Sequence, residues 1–357
     1  MSTDVKHRAS SSPLGRTSLT GGRLPKWAPA ATAAGSVAAG CAIGAGAGLA
    51  SHIQWGLIAA LLFVSASYAL AAKVEGTRQA KDRLATSLVW VCFILAVIPL
   101  VSLTVYTVQQ GAGVVDGTFL SHSMNGVISS EPGGGIYHAI LGTLEQVGLA
   151  TLIAAPIGLL TAVYLVEYGR GRLAKAVTFF VDVMTGVPSI VAGLFVLSFW
   201  IIILGFSFSG FAGSMALAIL MMPVVVRSTE EMLKLVPNEL REASYALGVP
   251  KWKTIVRVVV PTAIGGITTG IMLAVARITG ETAPVLLLCF TTDVINTNPF
   301  QDAQESLPLY IWHQYSLGND QTYARAWGAA LVLIAIVMGL NLVARAVARW
   351  RSPKAGH

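Results

Sequence analysis

The chain has 357 residues, of which 54% are hydrophobic and only 11% charged, and soluble domains carry roughly a quarter charged residues. One aqueous core of this length cannot hide so many apolar side chains, so the composition excludes an ordinary soluble enzyme and points to a polytopic, all-α membrane protein. The formal net charge of +7 would suit a nucleic-acid binder, but its placement along the chain follows membrane topology, so the expected partner is the lipid bilayer and not nucleic acid.

Residues 1–27 form a basic tail. Ala38-Ala39-Gly40-Cys41 is similar to a lipoprotein cleavage site but lacks the branched aliphatic residue usual at its first position. The long leader and the many later spans predict an uncleaved first helix instead. A span needs about 20 mostly apolar residues. Eight candidates follow in order: 29–50, 55–72, 86–108, 140–166, 188–206, 211–227, 262–289 and 326–346. The first is rich in Ala and Gly, with Gly40, Gly44 and Gly48 four apart on one face, where a neighbouring helix can approach closely. Two segments fall outside simple spans. Residues 173–187 read as a half-apolar helix ending at Gly186-Val187-Pro188, with Asp182 as a solvated or helix-end charge. Residues 306–318 of the 291–324 loop, rich in Trp and Tyr, read as a short helix anchored at the membrane surface. Glu145 reads as an interfacial acid and Asn341 as an interhelical hydrogen bond.

The basic residues test this count. The tail, the 73–83 loop, residues 170–175, the stretch Arg227 to Arg257 and the C-terminus together hold 22 of the 24 Lys and Arg residues. The intervening connections, including the long 109–139 and 291–324 segments, are almost free of them. That alternation places both termini and residues 236–261 in the cytoplasm. Cys41, Cys92 and Cys289 show neither C-x-x-C nor Cys/His spacing, so no disulfide framework or metal site is indicated.

Residues 236–261 are a charged interruption between two apolar runs. Pro237 is placed as a first-turn proline, with Glu239 and Glu242 where a helix N-terminus favours acids. Leu240, Ala243 and Leu247 line one face; Gly248 suits a left-handed cap and Pro250 starts a second short helix. The predicted shape is a helix–Gly–helix elbow, and these physical features alone are met equally by a solvated connector. In the 262–289 run, Arg277 and Glu281 are four apart and share a helix face. Arg277 lies roughly 22 Å beyond Thr262, past the bilayer middle, so it must face a polar interior or a partner. Two readings stay open: an Arg–Glu pair that locks the helices, or a cation beside Thr279, Gly280 and Thr282 that receives an anionic solute.

Glu242-Ala243-Ser244, three residues, Gly248, nine residues and Val258-x-Val260-Pro261 resemble the EAA loop of ABC-importer permeases, E-A-A-x3-G-x9-I-x-L-P. The departures are Ser244 for Ala, Val258 for Ile and Val260 for Leu. The resemblance implies that the elbow packs into a cleft on a cytosolic ATPase subunit. Ala243 and Ser244 would allow close approach, Gly248 would set the angle, Glu242 would offer a carboxylate and Pro261 would close the motif. Residues 276–284, ARITGETAP, resemble the A-R-x-x-G-E-T-A-P stretch of phosphate-transport permeases. YLVEYG (164–169), VPSIVAGLF (187–195) and GGIYHAILGTL (134–144) are similar to its PstA-type subunits.

This resemblance implies a type I ABC-importer core of six spans, with two extra N-terminal spans and Arg277, Glu281 and Thr282 on the substrate pathway. It divides the chain into a tail (1–27), N-terminal helices (28–108), a permease domain (134–346) containing the 236–261 loop, and a second tail (347–357). It also implies a second homologous permease, two copies of an ATPase subunit and an extracytoplasmic phosphate-binding protein. The chain has no Gly-Lys dipeptide and hence no P-loop, so no cofactor is expected here and ATP is used by the partner ATPase. A permease for sulfate or molybdate is the alternative; an ion-coupled carrier fits less well, since no internal repeat is evident. A membrane enzyme lacks any metal spacing or nucleophile elbow. The expected location is the bacterial cytoplasmic membrane.

Overall fold

A computed structural model describes residues 23–351, and the described residues are helical without a strand. The predicted tails, 1–27 and 347–357, therefore lie largely outside the described residues. The chain divides at Leu103 into two compact units. In the first, α1 (Ala28–Gly46) and α2 (His52–Val74) form a hairpin, and α3 (Thr77–Gly111) begins after Gly76. An added Cβ at Gly40 would lie 2.9 Å from the Ala59 nitrogen, and one at Gly44 would strike the Trp55 ring. The small-residue face of α1 is thus used as expected, except that Gly48 lies beyond the helix, at φ +67°. Glu75, between α2 and α3, accepts from Arg83 Nε at 2.5 Å and from the Leu24 amide at 2.7 Å.

The second unit contains α4 (Gly117–Ser121), α5 (Tyr137–Val163), α6 (Gly171–Thr185), α7 (Ser189–Val196), α8 (Gly210–Lys234), α9 (Asn238–Ala246), α10 (Lys251–Thr254), α11 (Val260–Thr279), α12 (Ala283–Leu288), α13 (Leu307–Leu317) and α14 (Asp320–Arg351). Three π-helical segments extend them: Tyr164–Tyr168 after α5, Leu197–Ile203 after α7 and Ile255–Val259 between α10 and α11. Among the described residues seven helices are long and apolar enough to cross a membrane, or eight if the bent pair of α6 with α7 and its π segment counts as one span. That pair turns by 109° at the predicted Gly186–Pro188 break.

The central helix is α8, with Ala212, Ala216, Ala218, Met221 and Val225 buried. Glycines admit its neighbours: a Cβ at Gly158 of α5 would lie 2.8 Å from Val225, and one at Gly270 of α11 would strike the Ser228 side chain. Close backbone approach at such positions suits helix packing in lipid, where no hydrophobic force drives association.

Two sequence expectations change, for the 262–289 run and for Asn341. The 262–289 run is not one helix, because α11 stops at Thr279 and α12 starts at Ala283. Asp182 is solvent-exposed near the end of α6, as expected, and also pairs with Arg227 of α8, which binds Glu230 at 2.6 Å. Asn341 bonds back to the Val337 carbonyl of its own helix at 2.9 Å rather than to a neighbour. The predicted short helix in the 291–324 loop is α13. Trp312 and Tyr315 are exposed as anchors would be, whereas Leu307, Leu309 and Tyr310 are wholly buried in the unit's core.

Candidate functional site

The elbow begins where buried Val236 leaves α8. Pro237 precedes α9, and Leu247 closes it. Gly248 then adopts φ +75°. Its amide donates to the Tyr245 carbonyl at 2.9 Å and the Val249 amide to the Ser244 carbonyl at 3.2 Å, so the last carbonyls of α9 are satisfied by a left-handed Gly cap. Pro250 then starts α10, which runs through the π segment into α11 as one apolar helix, Lys251–Thr279.

Glu242, Ala243, Gly248 and Pro261 are exposed. Ser244 differs from them: it is buried, and its hydroxyl lies 2.8 Å from that of Thr254 across the elbow. It therefore joins the two arms internally instead of facing outward. Leu240, Tyr245, Leu247, Trp252 and Val256 are exposed around the elbow, Leu247 at 84%. An apolar patch ringed by charges is the pattern of a protein-docking surface.

The sequence reading missed what holds the elbow. Arg241 Nε and Nη2 both donate to Glu167 Oε1, at 3.0 and 2.9 Å. The same guanidinium donates to the Leu233 carbonyl at 3.0 Å and the Val236 carbonyl at 2.6 Å. Lys251 donates to the Glu167 carbonyl and sits 4.8 Å from the centre of the Tyr168 ring. The available signal was an acid between two aromatic residues, Tyr164-Leu165-Val166-Glu167-Tyr168, where a span reaches the basic side.

At the far end of the same helix, Gly280 and Glu281 leave α11 in tight turns, with amides donating to the Arg277 and Ile278 carbonyls at 3.4 and 3.1 Å. Thr282 precedes α12, whose second position is Pro284. Glu281 is thus outside the helix that carries Arg277, and the expected shared face does not form. Among the described residues neither side chain has an ion-pair partner. Arg277 is exposed on this subunit, while Glu281 and Thr282 are half-buried. About 1.5 Å per residue puts the elbow roughly 40 Å from Arg277: the two groups of candidate residues share one rod but are not brought together.

A third polar cluster lies near the start of α5. Buried Glu305 accepts from His138 Nε2 at 3.2 Å and lies 3.7 Å from His313 Nδ1. That carboxylate raises the pKa of His313 above its ordinary value, with Asp293 contributing. Burial pushes the Tyr310 hydroxyl far upward. Gln304, next to Glu305 in the chain, donates to Glu145, so Glu145 carries a hydrogen bond close to this cluster in sequence. Arg325 of α14 grips the Ser129 and Gly133 carbonyls at 3.1 and 3.0 Å.

Residues 154–357 match the family model of the binding-protein-dependent transport system inner membrane component. The chain is 52% identical over 268 residues to the phosphate transport system permease protein PstA 1 of Mycobacterium tuberculosis, covering 75% of this chain and 87% of that protein. It is 50% identical over 266 residues to PstA of Mycobacterium leprae, with coverages of 74% and 88%. Two solved structures share the fold. A chain of a bacterial alginate ABC transporter in complex with its periplasmic protein aligns with a TM-score of 0.55 at 17% identity, over 76% of this chain and 96% of that chain. A chain of the MetNI methionine ABC transporter aligns with a TM-score of 0.52 at 18% identity, over 61% and 96%.

Proposed function

The chain belongs to the PstA family of phosphate transport permeases, within the binding-protein-dependent inner membrane components, and on that premise we propose that it forms one side of the pathway by which an ATP-driven importer moves inorganic phosphate into the cell. The observation that carries this reading is the continuous helix from the exposed elbow to Arg277. One end suits docking to a cytosolic protein, and the other carries Arg277 in the last turn of α11, just before Glu281 and Thr282 in the chain. An Arg past the bilayer middle costs about 2.5–3.5 kcal/mol on insertion scales. Arg277 therefore belongs against an aqueous pathway or a second, homologous permease and not against lipid. Its planar donors match the oxygens of a tetrahedral oxyanion.

In this reading both termini and the elbow are cytoplasmic. Two copies of a separate ATPase subunit bind and hydrolyse ATP, and this chain holds no cofactor and performs no catalysis. Ala243, Gly248 and the exposed Leu247 would enter the ATPase cleft, Glu242 would pair with donors at its rim, and Ser244 would keep the elbow's arms together. Pro261 marks the point where the rod enters the membrane. An extracytoplasmic phosphate-binding protein delivers the anion to the outer segments 109–139 and 291–324. Closure of the ATPases moves the elbow and switches the pathway between outward and inward access.

The test is uptake of radiolabelled phosphate by the complete complex in proteoliposomes. Uptake should require ATP on the ATPase side, persist without an ion gradient, and be competed by unlabelled phosphate but not by sulfate or molybdate. Equal competition by sulfate would move the assignment to another oxyanion. Gradient-driven uptake without ATP would make the chain a secondary carrier.

A further inference from the structure

We infer that Arg241, with Lys251, clamps the elbow to the cytoplasmic end of α5, so that displacement of the elbow reaches α5 directly as well as α11. The inference rests on the docking role proposed above. It starts from how little else holds α9. Within that helix Ser244 is the only buried residue, and its hydroxyl joins α9 to Thr254 of the same elbow. The cross-link from α9 to another transmembrane helix runs through Arg241.

The geometry is that of a fixed joint. The Arg241 and Glu167 side chains are 12% and 5% exposed, so separating them leaves charge in a poorly solvated place. The guanidinium holds three parts of the chain at once. It donates twice to Glu167, once to the last turn of α8 through the Leu233 carbonyl, and once to the Val236 carbonyl before α9. Lys251 approaches from the other arm, donating to the Glu167 carbonyl and facing the Tyr168 ring. Cations from both arms thus converge on two adjacent residues at the end of α5. Lysine at position 241 could not span these acceptors, because it offers a point charge where arginine offers a planar fork.

Glu167 and Tyr168 lie in one π segment, and Lys251 lies one short helix before another. Such wide turns mark places where a helix departs from regular bonding, often at functional sites. Arg241 is therefore a positioning residue for coupling. It selects which helices follow the elbow, and it touches neither ATP nor the transported anion.

A simpler structural role would be capping the carbonyl end of α8, and Glu167→Gln separates the two because it leaves the Leu233 and Val236 carbonyls bonded. The complete complex is reconstituted with wild-type chain, Glu167→Gln, Arg241→Gln, the double variant and Lys251→Met, and ATP hydrolysed per phosphate transported is measured. Each single variant should raise that ratio by roughly two- to thirty-fold, the range seen for substitutions along a coupling path. The double variant should be no worse than Arg241→Gln, because both remove the same contact. An unchanged ratio in Glu167→Gln, or additive effects in the double variant, would overturn the clamp. Should Glu167→Gln fail to accumulate, Lys251→Met decides alone, and a wild-type ratio there is equally fatal. Failure of the docking reading looks different: the wild-type chain itself would not retain the ATPase.

Discussion

Replacing Gly248 by valine separates the shape of the elbow from the integrity of the membrane helices. Gly248 has φ +75°, and a Cβ built there would meet no atom within 4 Å. The cost is therefore in the backbone and not in packing. An L-residue in the left-handed region costs roughly 1–2 kcal/mol, and a β-branched side chain lies at the upper end or beyond because its Cβ substituents crowd the backbone. A change of one to two kcal/mol shifts a two-state population by a factor of about 5–30. The elbow that keeps the Gly248 and Val249 amide bonds should lose population by that factor. Membrane content of the chain, ATPase retained on co-purification and phosphate uptake are measured together. Membrane content should stay at the wild-type level while retention and uptake fall. Gly248→Asn should be milder, because Asn visits the left-handed region more readily. Wild-type retention and uptake in the valine variant, or equal damage from Asn and Val, would refute the argument.

Other perturbations probe the second unit from different sides. Gly142→Ala would drive a Cβ into the Glu305 carbonyl and to 3.1 Å from Gln304 Cγ; overpacking of this kind costs about 1–3 kcal/mol, read as a lower thermal midpoint of the purified chain in detergent. His313 is held above its ordinary pKa by Glu305, so its contribution to stability is fully present below the unfolded value of about 6.5 and is lost as pH rises through the folded value. Thermal stability should therefore fall across that window, and His313→Gln should flatten the fall; parallel profiles would discard the assignment. Arg277→Gln should abolish phosphate uptake while the complex still assembles. Loss of assembly would instead make Arg277 a packing residue.

Most of the helical architecture was legible because apolar runs and basic loops obey rules that act locally. The elbow was legible for the same reason: Pro237, Gly248 and Pro250 each dictate backbone geometry within a few residues. The break after Thr279 was not, although Gly280 and Pro284 stand there, because continuous apolarity on both sides outweighed two local breakers. The partners of Glu167 lay beyond any periodicity rule. Arg241 is 74 residues away and Lys251 is 84, and only folding brings them to one helix end. The same holds for His138 and Glu305, 167 residues apart. Ser244 shows the limit of a motif: its position was readable, but its inward orientation depends on Thr254 in the opposite arm.

The π segment at Ile255–Val259 fixes an angle. A regular helix advances about 100° per residue, and a π turn holds one residue more than an α turn. Regularising that turn to α-helix with every residue kept would make the surplus residue sweep a full step of its own. The face bearing Trp252 would then turn by about 100° relative to the face bearing Arg277. The rod is thus keyed like a crankshaft, with the phase between its two ends set by a single surplus residue.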